Sequence, residues 1–130
     1  MRRRAAHGKA WLSRRPDGIQ RLEWVEGSTI SGKDAADVLE ASFCLAGHKP
    51  YAILVEMTAI VHQTQEARET FNADSRVIAA ALLGVGPMDE ILAGGAHTAV
   101  HPTSYFTSED DAITWIELHL EALTTSPHAG

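Results

Sequence analysis

His97 and His101 stand four residues apart in a stretch read as the end of a helix. On a helix that spacing puts both imidazoles on one face, as in a zinc site. The rest of such a site is missing: Thr98 stands where a zinc protease has its glutamate, and no third ligand stands out. Two histidines in a last turn before the terminating Pro102 also favour the helix dipole, and that explains them without a metal. Gly84-Val85-Gly86-Pro87 sits where a strand feeds a helix, the place of a phosphate loop. A dinucleotide turn would need glycine at position 89 and a Walker loop would need Gly-Lys-Ser/Thr, but the sequence continues Asp89-Glu90. Those carboxylates occupy the positive helix end that an anion would take. Asp34, Glu66 and the group Glu109, Asp110, Asp111 do the same at the other helix starts, which makes the acidic group an ordinary first turn. Cys44 projects away from the apolar face of its helix, among acids that disfavour a thiolate. His119 falls beside Ile116 and Leu120 and reads as a hydrogen-bonded core histidine. No nucleophile, base and orienting acid can be assembled from spacing, so no catalytic residue, metal or cofactor is expected.

The charge is divided along the chain. Its 130 residues carry a formal −6, yet Met1 to Arg21 holds seven basic residues and one acid, and the remainder holds four basic residues and sixteen acids. The pattern excludes a nucleic-acid binder built on a basic fold surface and leaves only weak contacts through the N-terminal segment. Apolar residues make up 45% and charged residues 22%, ordinary values for one globular domain with a buried core. A single cysteine excludes an intramolecular disulfide and fits a reducing cytoplasm. The longest apolar stretch, Val77 to Val85, is of strand length and gives no membrane span. Arg2, Arg3 and Arg4 are not followed by an apolar segment, so no signal peptide is expected.

These residues have to be positioned by a sequence of elements. Residues 1–9 read as a basic flexible arm whose deletion should leave folding intact, 10–124 as a single domain, and 125–130 as a frayed tail. Ala10 to Arg14 and Ile19 to Glu26 read as a hairpin at the sheet edge, turned by Arg15-Pro16-Asp17-Gly18. Leu22 and Trp24 share its core face. Ser31 to Asp34 signals a capped first helix that Gly47 closes. Tyr51 to Val55 and Val77 to Leu83 are continuous apolar runs, as expected of central strands covered on both faces. Between them Gln65 to Asp74, capped by Thr64, is a helix with little more than Ala67 and Phe71 to bury. A third helix from Pro87 toward Pro102, a strand at Ser104 to Phe106 and a last helix burying Ala112, Ile113, Ile116, Leu120 and Leu123 complete the chain. The alternation predicts an α/β fold with a largely parallel sheet, an antiparallel N-terminal hairpin and about four helices.

From Gly27 to Leu120 the sequence resembles STAS-like domains, the fold of bacterial anti-sigma-factor antagonists. The nearest likeness is to the small bacterial STAS-like proteins that are also compared with CRAL-TRIO lipid carriers. The matching residues are Thr29-Ile30-Ser31, the strand Ile53-Leu54-Val55-Glu56, Glu66-Ala67-Arg68, and the closing run from Tyr105 to Ile116. The resemblance implies a STAS-like mixed sheet and a non-catalytic regulatory or scaffold role through protein association, with a homodimer as one form of it. In the antagonists a partner kinase phosphorylates a serine at the start of the helix after the central strand. Here that place reads Val61-His62-Gln63-Thr64-Gln65-Glu66, without the Asp-Ser-Ser-Gly pattern, and Glu56 replaces the usual aspartate. The phosphoswitch serine is therefore absent. What carries over is a partner surface at Thr58, His62, Thr64, Gln65 and Arg68. The alternative implied by the carrier comparison is an apolar small-molecule or lipid-binding protein, which would need a cavity of ~300 Å³ or more.

Overall fold

Ser31 and Asp34 start the first helix by bonding each other's backbone. The Asp34 amide donates to the Ser31 hydroxyl at 3.1 Å, and the Ser31 amide donates to the Asp34 carboxylate at 3.0 Å, completing a capping box. The computed structural model describes residues 2–57, 60–85 and 99–125. In chain order the strands are β1 (Arg2–Ala5), β2 (Ala10–Arg14), β3 (Gln20–Trp24), β4 (Ser28–Ile30), β5 (Tyr51–Glu56), β6 (Ile60–Gln63), β7 (Val77–Leu83) and β8 (Thr103–Phe106). The helices are α1 (Gly32–Leu45), α2 (Gln65–Ala73) and α3 (Glu109–Thr125).

Six strands form the main sheet in the order β1-β2-β3-β5-β7-β8. The first three pair antiparallel, and β3, β5, β7 and β8 pair parallel, so the expected α/β class with an antiparallel start holds. The hairpin turn works as its residues predict: the Gly18 amide reaches the Arg15 carbonyl at 2.9 Å, the Ile19 amide reaches the Asp17 carboxylate at 3.1 Å, and Gly18 takes φ 90°. Alternation along β5 explains its uninterrupted apolar run. Tyr51 and Ile53 join a core with Val38 and Leu39 of α1 and Ala67 of α2, while Ala52 and Leu54 join Ala112 and Ile116 of α3. The sheet thus has helices on both faces.

Several expectations change. Residues 2–5, read as part of a flexible arm, are a paired edge strand: Arg2 to Ala5 align with Ser13 to Ala10. An edge strand bonds one neighbour only and tolerates charged side chains, so three arginines in a row carry no apolar signal of it. Consequently β1, not the hairpin, forms that edge of the sheet. β4 and β6, three and four residues long, make a separate parallel pair that no periodicity announced. The third expected helix falls mostly on 86–98, outside the described residues, and Ala99 to Pro102 is loop. Three helices are present among the described residues. Leu123, expected in the core, is 58% exposed, because α3 meets β5, β7 and β8 mainly through Ala112 and Ile116. His119 is half-buried, with its ring edge-on to Trp115 at 4.5 Å. The tail from 126 onward lies outside the described residues.

Candidate functional site

β6 and the start of α2 carry most of the surface that the family resemblance selected. The Thr64 amide continues the ladder from β6 to the Ile30 carbonyl at 3.0 Å, and its hydroxyl caps α2 by accepting the Ala67 amide at 3.0 Å. That hydroxyl is therefore a structural cap. His62 is exposed at the end of β6. Gln65 is exposed and donates to the Glu69 carboxylate at 3.1 Å, one helical turn on. Arg68 is different: it is half-buried and turns into a cleft. Thr58 lies outside the described residues. The fold thus gathers His62, Thr64 and Gln65 around one end of α2 and sends Arg68 inward.

The cleft that receives Arg68 lies between the sheet and the helices α1 and α2, with a cavity volume of about 80 Å³. Leu22 and Ile53 from the sheet and Val38 and Leu39 from α1 make its apolar wall. Its polar atoms come from Gln63 of β6, Arg68 and Asn72 of α2, His101 and Thr103. His101 is held in place: its Nε2 donates to the Phe71 carbonyl at 3.1 Å, and its Nδ1 lies 2.8 Å from the Thr103 hydroxyl, which also donates to the His101 carbonyl at 3.2 Å. Both ring nitrogens are thereby engaged. Of the two histidines read four apart, His101 lies in a loop with both ring nitrogens engaged, and His97 lies outside the described residues. Among the described residues no group of three metal-ligating side chains gathers.

Arg68 Nε is buried and has no hydrogen-bond partner. Buried donors are almost always satisfied, so this atom is the exception in the cleft. Sequence reasoning found Arg68 through the family pattern but missed Gln63, Asn72, His101 and Thr103 as its neighbours. They come from separate elements, and nothing in their local spacing relates them.

Several charged groups elsewhere pair with one another. Arg21 joins the Glu56 carboxylate at 2.6 Å and the Glu109 carboxylate at 2.9 Å, tying β3 to the end of β5 and the start of α3. Partial burial works against the Arg21 charge, but its two carboxylate partners outweigh it and raise its pKa. Asp34 is nearly enclosed; burial pushes its pKa up, yet hydrogen bonds from Lys9, Ser31 and His7 hold it at about 2. Asp74 is likewise opposed by burial and held below the usual carboxylate range by Arg76, which it meets at 2.7 Å. The Gly84 amide donates to the Phe106 carbonyl at 2.9 Å, one residue past the end of β7. Cys44 is exposed, with its Sγ 3.9 Å from His48 Nε2.

Residues 11–120 match the family model described as a domain of unknown function, DUF7793. The chain belongs to the DUF7793 family. Among solved structures it resembles a protein of the DUF3478 family with a SpoIIAA-like fold from Shewanella loihica PV-4, at 15% identity and a TM-score of 0.58, covering 82% of this chain and 90% of that one. A protein of unknown function from Arthrobacter sp. FB24 matches at 33% identity with a TM-score of 0.33, covering 82% of this chain and 92% of that one. No curated protein matches. The Shewanella likeness concerns the fold: this DUF7793 member has a SpoIIAA-like fold. No helix among the described residues is long and apolar enough to cross a membrane.

Proposed function

We propose that the domain is a non-catalytic STAS-like regulatory or scaffold module that acts by protein association. The observation that carries this reading is α2, where Ala67 is the one buried residue among nine. Four of its nine residues, Gln65, Glu66, Glu69 and Ala73, are exposed and make an outward face. Its outward residues Gln65, Glu66 and Glu69, with His62 beside them, offer hydrogen-bonding groups suited to the rim of a protein interface. The partner is another protein or a second copy of this chain. A photo-crosslinker placed at Gln65 in the living host tests the reading. Capture of one defined protein, lost with His62→Asp and Glu69→Lys, is the expected result; only diffuse background capture would sink it.

A second reading, a small apolar-ligand protein, is favoured by the cleft beneath α2. Its volume of about 80 Å³ is well short of the ~300 Å³ that a lipid-sized ligand requires. The reading therefore applies to a small ligand.

A further inference from the structure

We infer that the cleft beneath α2 binds a short-chain aliphatic monocarboxylate, its carboxylate held by Arg68 and its chain enclosed between the sheet and α1. This rests on the second reading above, the cleft as a ligand site, and names its ligand class.

Three observations converge on that class. Arg68 Nε is a buried donor with no acceptor, at a wall of the cavity. An anion supplies the missing acceptor, and a guanidinium matches a carboxylate in shape. The charge of the site limits the anion. Arg68 is the one permanently charged side chain among the described residues lining the cleft, and Gln63 and Asn72 are uncharged amides. A single cation balances a monoanion; a phosphate dianion would leave excess buried charge. The apolar wall then sets the rest of the molecule. Leu22, Val38, Ile53 and Ala80 offer no polar partner to a chain, and a polar tail would lose its hydration without replacement.

Volume sets the length. The cavity of about 80 Å³ is well below the ~300 Å³ at which drug-sized ligand pockets begin, so the chain it takes is short. A long-chain fatty acid does not fit, which separates this site from a lipid carrier.

The test is a methyl and amide NMR titration of the full chain with pentanoate, pentan-1-ol and decanoate. Pentanoate should give saturable shifts at Ile30, Val38 and Ala80. Arg68→Met should weaken it at least tenfold while leaving the weaker binding of pentan-1-ol unchanged. If none of the three compounds shifts these residues, the cleft is not a ligand site and the underlying reading fails. If pentan-1-ol binds as well as pentanoate, or Arg68→Met has no effect on pentanoate, the cleft stands as a ligand site and the carboxylate assignment is wrong. Tighter binding of decanoate than pentanoate would overturn the size limit. A lysine variant, Arg68→Lys, should retain part of the pentanoate affinity, because it keeps the charge but not the fork.

Discussion

Lys9 Nζ lies 2.8 Å from the carboxylate of Asp34, the same group that caps α1 through the Ser31 amide. One side chain therefore closes the first helix and anchors the segment that precedes β2. The anchorage continues next to it: the Ala6 amide donates to Asp37 of α1 at 2.5 Å, within a turn where Ala6, His7 and Gly8 all take positive φ. Ala6 and His7 are unfavourable there, so contacts of the folded chain hold the turn.

Asp34→Asn should lower the unfolding free energy by about 1–3 kcal/mol, through loss of the cap and of the charge opposite Lys9. The pH dependence has a definite sign. The folded pKa of Asp34 is depressed to about 2, below the ~3.9 of an unfolded aspartate, so its contribution is complete above pH ~4 and disappears as pH falls toward 2. Chemical denaturation of the wild type and Asp34→Asn at pH 7 and at pH 2 should show the difference between them shrinking at the lower pH. A constant difference would show that the carboxylate is not stabilised in this way.

Deleting residues 2–9 should lower the melting temperature by about 5 °C or more, since it removes β1, the buried Ala5 and Ala6 and the Lys9 contact. This reverses the expectation drawn from the basic composition alone. Unchanged melting of the truncated chain would mean that β1 contributes nothing.

Arg21→Ala should cost about 1 kcal/mol at low salt, and less at high salt, because it leaves Glu56 and Glu109 facing one another at a partly solvated site. A double-mutant cycle with Glu109→Gln should show the smaller coupling of the two ion pairs, since Glu109 is the more exposed partner. Equal coupling for both would contradict the geometry.

Arg68→Met should leave stability unchanged or raise it by up to about 2 kcal/mol without ligand, because it removes a buried donor lacking an acceptor and keeps an apolar stem of similar length. Differential scanning fluorimetry in buffer free of carboxylates measures this. A loss of several degrees would show that the guanidinium has a stabilising role in the empty protein.

Sequence reading succeeded where the controlling interaction is local. Ser31 with Asp34, Thr64 with Ala67, and Asp17 with Ile19 are bonds between residues two or three apart, so residue type and spacing are sufficient to place α1, α2 and the hairpin turn. The runs Tyr51 to Val55 and Val77 to Leu83 placed the central strands because burial on both faces demands apolar residues at every step. The resemblance of the closing segment added the STAS-like class.

Local pattern could not show β1, β4 or β6. Each is a short strand defined by a partner elsewhere in the chain, and backbone pairing leaves little trace in side-chain type. The same limit applied to function. The chain by itself determined α1, α2, α3 and the central strands, their order, and that each of these three helix starts carries its own anion. Only the tertiary structure decided that Arg68 turns inward while Gln65 stays in solvent, and that His101 meets Phe71 and Thr103 in the same cleft. Whether a polar atom finds a partner is set by groups that folding brings from other elements, so an unsatisfied donor becomes visible only once those elements are packed.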